Sequence, residues 1–345
     1  KEIVEFCKEF ISVPSPVSYY EEIHPFLEKK AKELGYEVTY DRKRTGYITL
    51  EGEDNSKTVC MGAHLDTIGL IVRHITDEGH LEVRQLGGIN YSSIEGEGVT
   101  IHTRDGRKYR GMVICKSHSV HVFDDARTAP RDELHMEVIL HEDVKSKEDV
   151  NALGIFPGDY IFIDPKTTID PHFEYTPSGY VKSRFIDDKA AVAALFEMIA
   201  YFKRNNLKPK YRTLLAFPLY EEIGHGGAYV PEEVSEYVAL DIGLIGPDYH
   251  GNETTVSICA KDNYSPYDRG LTNRIILQAK KANLNYCVDV FYRYGTDANA
   301  AIRAGNNVYA AAFGMACINS HGMERCHISA IEETAKLAIA YALDI

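Results

Sequence analysis

Apolar residues near both ends of the chain follow two patterns, a spacing of three to four residues and short continuous runs. The first pattern is typical of an amphipathic helix, and the second of a strand buried on both faces. The spacing predicts helices over residues 3–13, 19–34, 187–205, 269–282 and 297–304 and from residue 328 to the end. The runs predict strands over residues 36–40, 46–50, 58–63, 213–217, 237–245, 286–292 and 308–313. Strands that alternate with helices in this way predict an α/β domain with a largely parallel sheet.

Between these parts, from about residue 70 to residue 176, the pattern changes. Short apolar runs are separated there by Gly, Asp, Pro or charged turns, and no long helix is predicted. Many short strands with frequent turns indicate a small β-barrel or sandwich. We therefore expect an α/β domain made of residues 1–69 and 177–345, with a small β domain of residues 70–176 inserted into it.

Composition narrows the class of protein. Of the 345 residues, 44% are hydrophobic and 26% are charged, which excludes an intrinsically disordered chain. Lys plus Arg number 38 against 51 Asp plus Glu, which gives a net charge of −13. Because this charge repels phosphate backbones, we expect no nucleic-acid partner.

The longest apolar runs are shorter than the roughly 20 residues needed to cross a bilayer. With no leader pattern before the first helix, we expect a cytoplasmic protein.

The seven cysteines predict no disulfide framework. Their number is odd, they form no C-x-x-C pair, and most lie in apolar stretches. We therefore expect reduced cysteines buried in the core.

Histidines and carboxylates recur at the ends of the predicted α/β strands, where open α/β sheets bind ligands. These positions are His64 and Asp66, Asp187 and Asp188, Glu221 and Glu222, Asp241 (within a predicted strand) and His321. Zinc or cobalt binds imidazole nitrogen and carboxylate oxygen at about 2.0–2.2 Å, and two such metals need a bridging carboxylate. Five ligands, one of them shared, would give each metal three protein groups.

Each of these features also has a simpler explanation. His64 with Asp66 could be a surface pair, Asp187 and Asp188 could cap the following helix, Glu221 and Glu222 could form a solvated turn, and His321 could be an ordinary loop histidine. Asp241 is harder to explain in this way, because a buried carboxylate without a partner costs several kcal/mol. One metal site explains all of these residues together, whereas the simpler explanations must all hold at once.

The order of these residues resembles that of the tetrahedral aminopeptidases, a family of dinuclear metallopeptidases that includes glutamyl and deblocking aminopeptidases. The motifs that carry the resemblance are Ala63–Leu70, Ile186–Lys189, Glu221–Gly224, Gly227–Ala228, Ala239–Asp241 and Gly295–Ala298. The resemblance extends over nearly the whole chain and implies a zinc-peptidase-like α/β catalytic domain.

The resemblance also implies a role for each residue. Asp187 would bridge two divalent metal ions, most readily Zn or Co. His64 and Asp241 would complete one site, and Glu222 and His321 the other. Glu221 would be the general base, and the carboxylate of Asp66 would orient His64.

Two positions depart from the family pattern. The family usually has His-Ser-Pro followed by Val-Glu around the last ligand, whereas this chain has the run His321–His327. His327 therefore stays open as an alternative to His321. Lys189 stands where the family commonly has Arg.

The implied activity is a metal-dependent aminopeptidase, in which Glu221 activates a water lying between the metals for attack on the N-terminal peptide bond. The inserted domain would assemble a hollow, tetrahedral dodecamer that admits peptides. The alternatives are a metal-dependent amidohydrolase or deacylase on N-acyl or carboxypeptidase-type substrates, and a metal-stabilised scaffold without activity. A base beside Glu222 favours an enzyme. Candidate specificity residues are Arg293, Tyr294, Thr296 and Asp297.

Overall fold

The structure is a computed structural model, and it describes residues 2–165 and 174–344. Residues 166–173 of the predicted insertion therefore lie outside the described residues. The helices are α1 (Glu2–Ser12), α2 (Ile23–Leu34), α3 (Lys147–Ala152), α4 (Ile186–Asn205), α5 (Arg269–Lys281), α6 (Asp297–Arg303) and α7 (Ile328–Leu343). The strands are β1 (Thr39–Tyr40), β2 (Gly46–Leu50), β3 (Asp54–Gly62), β4 (Gly69–Ile75), β5 (Leu81–Leu86), β6 (Gly98–His102), β7 (Lys108–Cys115), β8 (Met136–Leu140), β9 (Tyr160–Ile163), β10 (Glu174–Tyr175), β11 (Tyr180–Ser183), β12 (Tyr211–Phe217), β13 (Val234–Leu240), β14 (Gly243–Leu244), β15 (Val256–Lys261), β16 (Tyr286–Val290), β17 (Tyr309–Cys317) and β18 (Glu324–His327).

The large sheet has the order β1-β2-β12-β3-β13-β17-β15-β16, with β14 beside β17. Its four central strands, β12, β3, β13 and β17, are parallel to one another. β2 joins β12 and β15 joins β17 in the antiparallel sense. The predicted α/β fold with a mostly parallel sheet is confirmed, with antiparallel strands near the edges.

Alternate residues of the central strands enter two different cores. Val59 and Met61 of β3 belong to a large cluster with residues of α1, α2, α4, α5 and α7, whereas Cys60 between them packs in a cluster with Ala298 and Ala301 of α6. The period of two is that of a strand covered on both faces. The continuous apolar run that predicted β3 therefore reflects helices on both sides of the sheet.

The inserted segment contains a closed barrel of six strands in the order β4-β5-β8-β7-β6-β9. Its interior is a separate cluster of buried side chains, which includes Val83, Val99, Ile101 and Val113. Closure satisfies the hydrogen bonds of every strand edge and leaves no open edge. Of the two predicted architectures, barrel or sandwich, the structure has the barrel. The limits of the insertion at residues 70 and 176 and its role in assembly stay predictions.

A small antiparallel sheet, β10-β11-β18, connects the segments that precede α4 and α7. β11 lies just before Asp187 in the chain, and β18 lies just after His321. The sequence analysis did not predict β18, because it is four residues long and merges with the pattern of α7. This sheet brings together two segments that are far apart in the sequence.

The seven cysteines are all buried and unpaired, as expected for reduced core residues. Among the helices of residues 2–165 and 174–344, none has the length and apolar character required to span a membrane.

Candidate metal centre

Most of the predicted site residues follow the carboxyl ends of the parallel strands, and Asp187 lies at the start of α4. His64 and Asp66 follow β3, and Glu221 and Glu222 form a short 3-10 turn after β12. Asp241 was predicted inside a strand, and this was wrong: β13 ends at Leu240, and Asp241 lies one residue beyond it. The strand end places the Asp241 carboxylate beside those from the neighbouring strands, which explains why a charged residue interrupts an apolar run.

Four side chains form the first group of possible metal ligands. His64, Asp187, Asp188 and Asp241 each offer one ligand atom, and these atoms lie within 4.8 Å of one another. Nε2 of His64 is 3.1 Å from Oδ1 of Asp187. The backbone N–H of His64 donates to Oδ2 of Asp188 at 3.1 Å. Oδ1 of Asp188 is buried and has no hydrogen-bond partner among the described residues, so this group contains a buried polar atom that a bound cation could satisfy.

Asp187, Glu222 and His321 form the second group. Nε2 of His321 lies 3.4 Å from Oδ2 of Asp187 and 3.4 Å from Oε2 of Glu222. Asp187 therefore uses Oδ1 toward one histidine and Oδ2 toward the other. A carboxylate with this arrangement is suited to bridge two cations.

His327 lies elsewhere. Its Nδ1 is 2.7 Å from the hydroxyl of Ser329 in the first turn of α7, and its Nε2 is 3.0 Å from the carbonyl of Ser178. The ring therefore contributes to the start of α7 and belongs to neither group of ligands.

Backbone carbonyls fix the orientation of both site histidines. Nδ1 of His64 is 2.8 Å from the carbonyl oxygen of Asp66, and Nδ1 of His321 is 2.6 Å from that of Gly88. Because a carbonyl can only accept, Nδ1 carries the proton, and Nε2 remains free to bind a metal. Gly88 lies just after β5, which is a strand of the barrel. This contact therefore connects the inserted segment to the site.

Asp66 lies beside His64, and its proposed role in orienting the imidazole stays a prediction. The carboxylate of Asp66 lies 3.6 Å from Nδ1 of His64, whereas the backbone carbonyl oxygen of Asp66 lies 2.8 Å from the same atom. The carboxylate accepts hydrogen bonds from the backbone N–H groups of Glu221 and Glu222, at 3.1 and 3.0 Å. Asp66 thus connects the His64 segment to the turn that carries the two glutamates.

Among the four described carboxylates that line the adjoining cavity, Glu221 is the one that belongs to neither group of possible ligands. Its Oε2 lies 3.7 Å from Nε2 of His64, and the residue lines the adjoining cavity. It can therefore approach a small molecule between the two groups while Glu222, its neighbour, faces His321.

Burial raises the pKa values of several carboxyl groups of the site. It raises the pKa of Glu222 to about 7 and the pKa values of Glu221, Asp188 and Asp241 well above the usual range. Neighbouring carboxylates add to the effect, since like charges oppose ionisation. A cluster of this kind favours bound positive charge.

The pKa values of the two histidines and of Asp187 shift in the directions that favour their charged forms. The charge of Glu222 raises the pKa of His321 to about 11. Burial alone would lower the pKa of His64, but hydrogen bonds with Asp187 and Asp66 raise it well above its usual value. Burial likewise acts to raise the pKa of Asp187, yet the two histidines hold it below its usual value. The histidines and carboxylates of the cluster thus interact electrostatically with one another.

A cavity of about 670 Å³ opens beside the cluster. Three of the predicted specificity residues, Arg293, Tyr294 and Thr296, line it. Asp297 instead lies behind the wall, where its carboxylate accepts the backbone N–H of Gly227 at 2.6 Å. Burial raises the pKa of Asp297 to about 7.

Sequence reasoning assigned no ligand role to Asp188 and did not identify Gly88. Asp188 was visible as the second residue of an acidic pair, but the pair alone could not show that both carboxylates face the first group. Gly88 contributes a carbonyl, and a backbone atom leaves no signature in a sequence.

Comparison with known proteins identifies the family to which this chain belongs. The model of the family described as "M42 glutamyl aminopeptidase" matches residues 45–337 of this chain. "Putative aminopeptidase YhfE" of Bacillus subtilis (strain 168) is 37% identical over 342 residues, covering 99% of this chain and 97% of that protein. The solved structure of Pyrococcus horikoshii TET1 peptidase, described as assembling into a tetrahedron or a large octahedral shell, superposes with a TM-score of 0.84 at 25% identity and covers 99% of this chain and 100% of that one.

A TET aminopeptidase from a marine sediment archaeon of the Thaumarchaeota superposes with a TM-score of 0.86 at 19% identity, over 99% of this chain and 95% of that one, and so shares the fold. The predicted family resemblance and the predicted aminopeptidase activity are both confirmed. This chain belongs to the M42 glutamyl aminopeptidase family and is a metal-dependent aminopeptidase, a hydrolase of peptide bonds.

Proposed function

We propose that this aminopeptidase acts with two divalent cations per chain, Zn or Co, that share Asp187. The proposed ligands are His64 and Asp241 for one cation, Glu222 and His321 for the other, and Asp187 for both. The observation that carries the proposal is the presence of Asp187 in both groups of possible ligands, with one oxygen toward each histidine. The donor set suits Zn or Co because it combines imidazole nitrogen with carboxylate oxygen.

When bound, such cations polarise a peptide carbonyl and lower the pKa of a water molecule toward neutrality. The residues of the chain would then position the substrate and move protons. Glu221 would take the proton of the attacking water and pass it to the leaving amine. Its carboxylate lines the cavity 3.7 Å from Nε2 of His64, which is a suitable place for such a base.

We further propose that the cavity selects an acidic N-terminal residue. The carboxylates that line the cavity, Asp187, Glu221, Glu222 and Asp241, all belong to the metal centre. The other charged residues on its wall are Arg293 and Arg303, apart from His321 of the centre. Neither arginine pairs with a carboxylate among the residues that the structure describes; Arg303 lies over the ring of Tyr264, 3.9 Å from its centre.

Unpaired guanidinium groups in a cavity attract a carboxylate and repel an ammonium group. A glutamyl or aspartyl side chain therefore fits this wall better than a lysyl side chain. The family description names glutamyl aminopeptidases, whereas a relative from Pyrococcus furiosus, 24% identical over 233 residues, is named lysyl aminopeptidase. The two arginines favour the first of these specificities for this chain.

A panel of fluorogenic aminoacyl amides tests the proposal. We expect Glu and Asp substrates to be cleaved with the highest kcat/KM, and the N-acetylated Glu amide not to be cleaved. Arg303→Met and Arg293→Met should lower kcat/KM for the Glu substrate by about tenfold or more relative to Leu, since one charged contact is worth about 1.5–3 kcal/mol. Arg269→Met, an exposed arginine outside the cavity, is the matched control.

A preference for lysyl or leucyl amides that both variants leave unchanged would contradict acidic selection. Cleavage of N-acyl amides in place of aminoacyl amides would contradict the proposed use of the site on free N-termini.

We also propose that the chain forms a homo-oligomer, a tetrahedral dodecamer, by analogy with the tetrahedron described for the TET1 peptidase. Active sites that face an inner chamber would limit substrates to peptides. Twelve copies of the 38.8 kDa chain would have a mass of about 466 kDa. Light scattering on the purified full chain would show this mass, and a monomer or dimer would contradict it.

A further inference from the structure

We propose that Glu324 is a positioning residue that sets the distance between the shared aspartate and the last histidine of the metal centre. Its Oε2 accepts the backbone N–H of Asp187 at 3.0 Å, and its Oε1 accepts the backbone N–H of His321 at 3.1 Å. One carboxylate thus holds the main chain of two proposed ligands. The inference rests on the ligand set of the proposed function and adds a residue that this set does not contain.

The small antiparallel sheet places Glu324 where it can make both contacts. Glu324 is the first residue of β18, and it pairs with Ser183, the last residue of β11. The chain runs from Ser183 to Asp187 in four residues, and from His321 to Glu324 in three. Both ligand segments therefore leave the same end of this sheet, and the Glu324 side chain spans the gap between them.

The contact with His321 acts on a residue whose backbone is otherwise unfavourable. His321 has a φ of 60°, in the left-handed region, which costs a non-glycine residue roughly 1–2 kcal/mol. The bond from its N–H to Oε1 of Glu324 and the bond from Nδ1 to the carbonyl of Gly88 hold it in place. Each such hydrogen bond contributes about 0.5–1.5 kcal/mol net, so the two together can offset the cost of this conformation.

The chemistry of the position explains why it is a glutamate. Two N–H groups require two acceptor atoms, and a carboxylate supplies both, whereas an amide supplies one oxygen and an NH₂ group. The Glu324 residue is only 2% exposed, and its two carboxylate oxygens accept the backbone N–H groups of Asp187 and His321. Burial of a carboxyl group is costly unless it is hydrogen-bonded, and this cost would disfavour the residue if it had only a packing role.

Glu324→Gln tests the inference with a small change in shape. We expect the variant to bind the first equivalent of Zn²⁺ as the wild type does and the second about 10–100-fold more weakly, the range seen when a residue behind a metal ligand is changed. Titration of metal-free protein against a chromophoric chelator measures both affinities. The absorption spectrum of the Co²⁺ form should change in the second step of the titration, which a general loss of stability would not cause.

Glu253→Gln is the matched control. Glu253 pairs with Arg325, the residue after Glu324 on β18, at 2.7 Å and contacts no proposed ligand. We expect this variant to keep both affinities and the wild-type Co²⁺ spectrum. Glu324→Asp is the second test variant if the glutamine variant does not fold: it keeps the charge, but its shorter side chain cannot reach both N–H groups, so the second affinity should fall as well.

Wild-type affinity for both equivalents in a folded Glu324→Gln or Glu324→Asp variant, with an unchanged Co²⁺ spectrum, would overturn the positioning role. If neither variant folds while Glu253→Gln does, Glu324 is required for folding and the positioning role is rejected. If instead the proposed ligand set were wrong, the wild-type protein itself would bind fewer than two metals per chain, which distinguishes the two outcomes.

Discussion

Replacement of the proposed general base by its amide, Glu221→Gln, separates proton transfer from metal binding. The structure predicts that the metal centre survives, because Glu221 belongs to neither group of possible ligands. The turn should also survive, since its backbone N–H groups are held by Asp66. Glutamine has the size of glutamate but cannot accept the proton of the attacking water.

The expected loss follows from the role of the residue. A positioned general base contributes about 10²–10⁴-fold to the rate, which corresponds to roughly 2.7–5.4 kcal/mol at 1.36 kcal/mol per factor of ten. The side chain is 14% exposed, so bulk water cannot readily replace it, and we expect a loss toward the upper part of this range. The loss should be in kcat, because a base acts on the transition state.

The assay combines steady-state kinetics on a Glu amide with elemental analysis of the same sample. We expect two metals per chain in Glu221→Gln and a kcat at least about a hundredfold below that of the wild type. Glu222→Gln is the paired control, because it removes a proposed ligand and should lower the metal content as well. A Glu221→Gln enzyme with two metals and a kcat within tenfold of the wild type would refute the base assignment.

Two further changes test other parts of the account. His64→Ala removes a proposed ligand of one cation only, so elemental analysis should show close to one metal per chain; two metals would contradict the ligand set. Glu236 is buried and accepts hydrogen bonds from Lys57, Arg274 and Tyr341, which hold its pKa below the usual value although burial opposes this. Its contribution to stability is therefore present above the unfolded pKa of about 4.3 and is lost as the pH falls through the lower folded pKa. Glu236→Gln should lower the free energy of unfolding by about 3 kcal/mol at pH 7 in urea titrations, with a smaller difference below pH 4, and a difference independent of pH would contradict this.

The sequence pattern predicted those features that depend on local periodicity. The run 58–63 became β3, and the spacing over 187–205 became α4, because helices on both faces of a sheet and an amphipathic surface leave regular signatures. The change of texture after residue 70 predicted a separate all-β segment, but closure into a barrel depends on strand tilt and register between distant strands.

The parts of the site that the sequence did not predict depend on contacts between distant segments. Asp241 was placed inside a strand, because an apolar run does not reveal where the hydrogen-bonded ladder ends. The carbonyl of Gly88 and the two hydrogen bonds of Glu324 arise only when the barrel and the small sheet are in place. The side chains of the two groups of possible ligands were predictable by residue type, whereas the groups that orient them were not.

The most direct test is a crystal structure of the zinc-loaded protein with anomalous data collected at the zinc edge. The account predicts two peaks, roughly 3.5–4 Å apart, with the Asp187 carboxylate between them. His64 and Asp241 should contact one peak, and Glu222 and His321 the other. A single peak, or two peaks of which only one touches Asp187, would contradict the shared-aspartate centre.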